Sequence, residues 1–246
     1  FACCYLIYSS KQLVPPMRFL LCFTMLFWLE QALAQVPPTS KELFKPEYWI
    51  IEKTTAKTLV AFRQEHIEVS AKGGVTLWYH EPLEAPVSIR LQAKVVPTED
   101  PVLRVSDLNF FWMAQDSAYP DDFFKRSSWR NGVFPHYYSL NLYYAGYGGN
   151  TNTTSRFRKY KGTYETFANS GERPPILKEY TDADHLLKAD VWYDIHIEMN
   201  EGRVRFYVND NLLFDMEDEA SYTHGYFGLR TVKSKIQYRN LSIKHL

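Results

Sequence analysis

The sequence predicts an all-β protein, a sandwich of two antiparallel sheets, and three observations carry that reading. Short segments alternate apolar and polar residues with a period of two, as Val87, Ile89, Leu91, Ala93 and Val95 do against Ser88, Arg90, Gln92 and Lys94. Such alternation sets one side of an extended segment on a core and the other toward water. Close turns containing Gly, Asn, Asp or Pro separate the segments, and nothing beyond residue 34 carries a long helical period. Many short strands each need one face buried, and two sheets packed face to face meet that need.

Composition supports the same picture. Of 246 residues 46% are apolar, enough for a substantial core, so global disorder is excluded. Lys plus Arg equals Asp plus Glu, 28 each, which gives no general attraction to nucleic acid or anionic membrane. The sixteen Phe, eighteen Tyr and six Trp favour strands and flat recognition surfaces.

The first 34 residues stand apart. Met17-Arg18 is a short positive start, Phe19 to Leu29 an apolar run, and Ala32-Leu33-Ala34 an A-x-A cleavage pattern. The run is shorter than the ~20 residues a membrane-spanning helix needs. It predicts a signal peptide cleaved after Ala34, a secreted or periplasmic protein, and no stable membrane span after cleavage. Cys3, Cys4 and Cys22 all lie upstream of that cut. The mature chain then has no disulfide, no Cys-zinc site and no cysteine nucleophile.

The elements follow in order. Residues 35–46 read as an exposed leader, and one sandwich domain is expected over 47–246. Glu47 to Ile51 is a first strand, and His66 to Ala71 and Val75 to Tyr79 form a hairpin around Lys72-Gly73-Gly74. Val87 to Val96 is the cleanest strand. Leu108 to Met113 is apolar on both parities, as in a strand covered on both sides. Residues 114–135 form a long connection with a short helix near Asp121 to Arg126. Tyr137 to Tyr144 and Ser155 to Tyr160 are the next strands, joined by a loop bearing Gly146, Gly148 and Gly149. A helical turn is expected at Asp182 to Leu187. Strands follow at Val191 to Met199, Arg203 to Val208, Leu212 to Phe214, Tyr226 to Arg230 and Ile236 to Ile243.

The closing pieces WYDIHIEM, EGRVRFYVNDNLLFD and HGYFGLRTVKSKIQYRNLSI resemble the end of a concanavalin A-like jelly roll. DLNFFWMAQD (107–116) and YYSLNLYYAGYGGNTNTTSRFRKY (137–160) resemble secreted Bacteroidetes domains of unknown function with that fold. The resemblance implies a jelly roll over 47–246 and an association with glycan processing. The superfamily hosts lectins, glycoside hydrolases and polysaccharide lyases, so fold alone does not select among them. The E-x-D-x-x-E signature of laminarinase-like hydrolases does not occur, which argues against their retaining mechanism.

The segment 136–160 is the principal site candidate. Strict alternation groups Tyr137, Ser139, Asn141 and Tyr143 on an open face, with Tyr138, Leu140, Leu142 and Tyr144 toward the core. Arg156, Arg158 and Tyr160 share a face of the next strand. Joined by the Gly-rich loop, the two polar sets suit β-elimination on a uronic-acid polysaccharide. Arg156, Arg158 and Asn141 would neutralise the carboxylate, with His136 as base and Tyr143 as acid or base. Catalytic roles are therefore expected for His136, Tyr143 and Arg156, and sugar contacts for Trp129, Asn141, Tyr147, Arg158 and Tyr160. Trp78 and Trp112 are further stacking candidates.

The alternatives are a glycoside hydrolase of the same fold and a non-catalytic glycan-binding module. Asp194, His196 and Glu198 share one strand face at a spacing a carboxylate pair could use, though a strand alternating apolar with charged residues most often has a wet outer face, and that is the favoured reading. The expected partner is a polysaccharide or oligosaccharide, with no nucleic acid, no cofactor and no metal. The sequence sets no oligomeric state.

Overall fold

The computed structural model describes residues 42–162 and 173–246, which lie in one compact unit, Pro38–Leu246. The other unit, Phe1–Pro37, carries the expected signal segment and lies outside the described residues. The fold is a jelly-roll sandwich of two antiparallel sheets. Its strands are β1 (Trp49–Lys53), β2 (Leu59–Phe62), β3 (His66–Ser70), β4 (Gly74–Tyr79), β5 (Leu83–Glu84), β6 (Val87–Val95), β7 (Leu108–Gln115) and β8 (Asn141–Gly148). They continue with β9 (Thr154–Lys161), β10 (Lys178–Tyr180), β11 (Trp192–Asn200), β12 (Arg203–Val208), β13 (Asn211–Glu217), β14 (His224–Val232) and β15 (Lys235–His245). Sheet 1 runs β1-β4-β14-β7-β8-β9-β10, with β5 added to β14; sheet 2 runs β13-β12-β11-β6-β15-β3-β2.

Alternation places the core where the sequence puts it. On β6, Val87, Ile89, Leu91, Ala93 and Val95 are all buried between the sheets. Tyr193, Ile195, Ile197 and Met199 do the same from β11. Between the sheets a run of rings links Trp112 to Phe157 at 6.0 Å, Phe157 to Phe214 at 5.4 Å and Phe206 to Phe214 at 5.8 Å. Each such pair adds about 0.5–1.5 kcal/mol beyond its buried area.

A second apolar layer covers the other face of sheet 1. Trp78, Phe111, Phe123, Tyr137, Leu142, Tyr144 and Tyr160 form it. Residues 116–140 supply the cover through short helical turns at Phe123–Arg126, Ser127–Arg130 and Phe134–Ser139. This explains why β7 is apolar on both parities: Phe110 and Trp112 enter the inter-sheet core while Phe111 enters the outer layer.

Three expectations are corrected. The predicted strand over 137–144 is a 3₁₀ turn, Phe134–Ser139, followed by a strand that starts at Asn141. Pro135 in its first turn suits a helical start, and the aromatic rings bury themselves as a cover rather than as a strand. The expected glycine loop is largely strand, because β8 continues to Gly148. The leader is not wholly exposed: Leu43 and Phe44 are buried, and the Trp49 indole Nε1 donates to the Leu43 carbonyl at 2.7 Å.

Candidate functional site

The register of sheet 1 builds the site. Glu52, Thr76, Arg230, Asn109, Gly146, Arg156 and Glu179 are each the cross-strand partner of the next. Paired residues point to the same face at strand spacings of ~4.8 Å, so these residues from seven strands make one continuous polar row. Two residues along each strand lies a second row: Trp78, Gly228, Phe111, Tyr144 and Arg158. A polar row therefore runs beside an aromatic row on the covered face.

At one end a buried charge network ties the cover down. The Arg130 Nε donates to Glu52 Oε1 at 2.9 Å, and its Nη1 donates to the Phe123 carbonyl at 3.0 Å. Arg126 grips Asp116 with Nε at 2.8 Å and Nη2 at 2.5 Å. The Tyr137 hydroxyl donates to Glu52 Oε2 at 2.6 Å. Burial, and then the adjacent Glu52 carboxylate, hold the Tyr137 phenol protonated far above its ordinary range. Two carboxylates face two guanidiniums, so this network balances its own charge.

Arg230 is the surplus. It is 3% exposed, donates to Thr76 Oγ1 at 2.8 Å and to the Gly132 carbonyl at 3.1 Å, and lies over the rings of Phe134 and Tyr137. Among the described residues no carboxylate comes within ion-pair distance of it. Farther along the row, Asn109 accepts from the Tyr144 hydroxyl at 3.2 Å. Gly146 makes that contact possible, because a Cβ there would lie 2.2 Å from the Tyr144 hydroxyl oxygen.

Arg156 closes the row, paired with Glu179 at 2.5 Å, and Arg158 donates to the Pro174 carbonyl. Over these residues opens a groove of about 470 Å³, lined by Asp107, Asn109, Phe134, Tyr138, Tyr144, Gly146, Asn150, Arg156, Arg158, Tyr160 and Arg230 among others. Asp107 is already held by Arg104 at 3.0 Å and Ser106 at 2.5 Å. The Tyr160 hydroxyl is buried and finds no hydrogen-bond partner among the described residues. Burial pushes the Tyr144 and Tyr160 phenols well up, so both remain O–H donors at neutral pH.

The structure thus brings together Arg156, Arg158 and Tyr160, as the sequence grouped them. It separates the rest. With the strand starting at Asn141, Tyr143 points into the inter-sheet core, opposite to the expected direction. There it stacks on Trp112, donates to Asp218 Oδ2 at 2.5 Å and is held protonated by burial. Asn141 shares that parity, paired with Lys161 and Gln115 rather than with an arginine of the groove. Tyr147 is buried against Tyr193 at 5.3 Å, its phenol pushed by burial up to about 12.

His136 and Trp129 stack on each other at 4.2 Å within the cover, where His136 Nδ1 bonds the Trp129 carbonyl at 2.7 Å; neither lines the groove. Trp78 and Trp112 are fully buried, so they offer no sugar platform. A one-residue choice of face reversed the assignments of Asn141 and Tyr143, because both sides of sheet 1 are covered and hydrophobicity could not orient β8.

Sequence reasoning missed Arg230, Asn109, Tyr138 and Tyr144. A signal existed for two of them: Asn109 and Arg230 interrupt the apolar segments LNFFWM and YFGLR, and a polar residue inside such a run needs a partner.

The trio on β11 is accounted for by cross-strand pairs. Asp194 accepts from Gln92 at 2.7 Å, His196 bonds Ser88 Oγ at 3.0 Å, and Glu198 pairs with Arg205. Burial, reinforced by Arg90, lowers the His196 pKa and keeps its ring neutral. Among the described residues no His, Cys, Asp and Glu side chains cluster as metal ligands would, and no helix is long and apolar enough to cross a membrane.

Comparisons with known proteins extend this picture. A protein of unknown function with a galectin-like fold from Bacillus subtilis superposes with a TM-score of 0.62 at 17% identity, covering 83% of this chain and 94% of its own. The carbohydrate binding module CBM66 from Bacillus subtilis gives 0.52 at 11% identity over 80% of this chain and 95% of its own. The carbohydrate recognition domain of Emp46p gives 0.53 at 10% identity over 85% and 92%. At these identities the likeness is one of fold. No curated protein matches the chain significantly. Residues 69–241, which contain the strands that carry Thr76, Asn109, Gly146, Arg156 and Arg230, match a family described as a domain of unknown function, and the chain belongs to that family, DUF6250.

Proposed function

We propose that this protein binds a glycan in the covered groove on the outer face of sheet 1, and that export through the 1–34 segment delivers it to its ligand. The observation that carries the reading is the polar row Arg230–Asn109–Gly146–Arg156 on the groove floor, beside the rings of Phe134, Tyr138 and Tyr144. A sugar presents hydroxyls and apolar ring faces together, and a groove with donors, acceptors and ring walls matches both. The carbohydrate-binding names of two fold neighbours agree with this assignment.

Cleavage by β-elimination has less support. It requires a group that takes a proton beside the carboxylate clamp. His136 lies outside the groove, Tyr143 faces the inter-sheet core, and the groove's Tyr144 and Tyr160 are held protonated by burial. Binding without turnover is the reading these positions favour.

The test is a panel of soluble oligosaccharides followed by protein fluorescence, with product analysis on the same mixtures. At least one sugar should bind saturably, without new reducing ends or unsaturated uronate. Gly146→Val, which fills the groove centre, should abolish that binding. Binding that survives this substitution in a folded variant contradicts the groove.

A further inference from the structure

We infer that the ligand is an acidic sugar, whose carboxylate or sulfate is received by Arg230 with help from Arg158. The inference rests on the glycan-groove reading and adds the charge of the ligand. Its basis is the distribution of charge around the groove. The neighbouring network of Glu52, Asp116, Arg126 and Arg130 is balanced within itself. Asp107, the carboxylate on the groove wall, is engaged by Arg104. Among the described residues Arg156 is neutralised by Glu179, whereas Arg158 meets a carbonyl and Arg230 a carbonyl and a hydroxyl, with no carboxylate.

A guanidinium 3% exposed loses most of its hydration. Burying a charge without a counter-ion is costly. Stacking on Phe134 and Tyr137 offsets part of that cost. An oxyanion in the groove would offset the rest, and guanidinium groups receive carboxylate and sulfate oxygens through paired N–H donors. On the same wall the buried Tyr160 hydroxyl, which finds no partner among the described residues, is a second unsatisfied group. It supplies an O–H donor to a ligand oxygen.

The test compares three tetrasaccharides on the purified protein by calorimetry: oligogalacturonate, a sulfated galactose tetramer and the unsubstituted galactose tetramer. At least one charged tetramer should bind tenfold or more tightly than the neutral one, with affinity falling as salt rises. The stronger of the two charged arms identifies carboxylate or sulfate. Arg230→Met, which keeps an apolar side chain beside Phe134 and Tyr137, should remove that preference, so that the charged and neutral tetramers bind with similar affinity.

Should Arg230→Met fail to fold, Arg158→Met carries the comparison and should reduce the preference at least threefold. Equal affinity for charged and neutral tetramers, or a preference that survives the substitution, overturns the inference while leaving the groove intact. Absence of binding by any sugar in the wider panel overturns both.

Discussion

The outer faces of the two sheets carry similar side chains and treat them in opposite ways. On sheet 2, Asp194, His196, Glu198 and Arg205 stand on strands open to water, and each meets a cross-strand partner. On sheet 1, Glu52, Asn109 and Arg230 are buried, and Arg130 reaches Glu52 from the covering turns of residues 116–140. A wet pair gains little, since water already solvates its members. A covered charge must be partnered by the protein or receive a partner from outside. Function is therefore to be sought where a covered charge lacks one, and a row of charged residues is not by itself a site.

The largest effect should come from breaking the covered network. Arg130→Met leaves Glu52 without its guanidinium and weakens the hold on Asp116. Loss of one partner of a buried pair typically costs about 3–5 kcal/mol, so the urea midpoint should fall strongly. A loss below about 1 kcal/mol would erase the contrast between the faces.

Gly146→Val comes next. Its side chain would meet the Tyr144 hydroxyl and the Asn109 amide oxygen. Overpacking of this kind costs about 1–3 kcal/mol, which urea denaturation would read alongside the loss of sugar binding.

How far the sequence foretold these faces depends on how each is covered. Where one face meets water the period of two is decisive, and β6 and β11 carry their apolar residues inward as alternation predicts. Where both faces are covered the same rule has no sign. Phe111 and Trp112 on β7, and Tyr143 and Tyr144 on β8, are equally aromatic yet belong to different layers. The grouping of Arg156, Arg158 and Tyr160 survived because it needed only parity within one strand. Their companions did not, because Asn109 and Arg230 reach the row through register between strands distant in sequence. No local pattern encodes that register, and only the interruption of an apolar run marks such residues.

A third substitution refines the contrast at the edge of the core. Asp218 is engaged by Lys159 and Tyr143, both at 2.5 Å. Burial raises its pKa, but the hydrogen bonds from Lys159 and Tyr143 outweigh that and leave it below the usual aspartate value. A carboxyl whose folded pKa is depressed adds stability above its unfolded value of ~3.9 and loses it as pH falls through the folded one. Asp218→Asn should therefore cost about 1–3 kcal/mol at pH 7 and flatten the acid side of the stability profile, as thermal melts between pH 2 and 7 would show.

The smallest effect is expected on the wet face. Glu198→Gln removes the carboxylate facing Arg205, and both side chains are partly exposed. It should change stability by less than about 1 kcal/mol and leave sugar affinity unchanged in the same calorimetric assay. A larger loss would mean that sheet 2 is not the passive face.

The most direct measurement is a crystal structure of the protein with a bound acidic oligosaccharide. The sugar should lie over Asn109 and Gly146, between Phe134 and Asn150, with an oxyanion within hydrogen-bond distance of the Arg230 guanidinium. A sugar seated on the outer face of sheet 2, or one that leaves Arg230 untouched, would contradict the account.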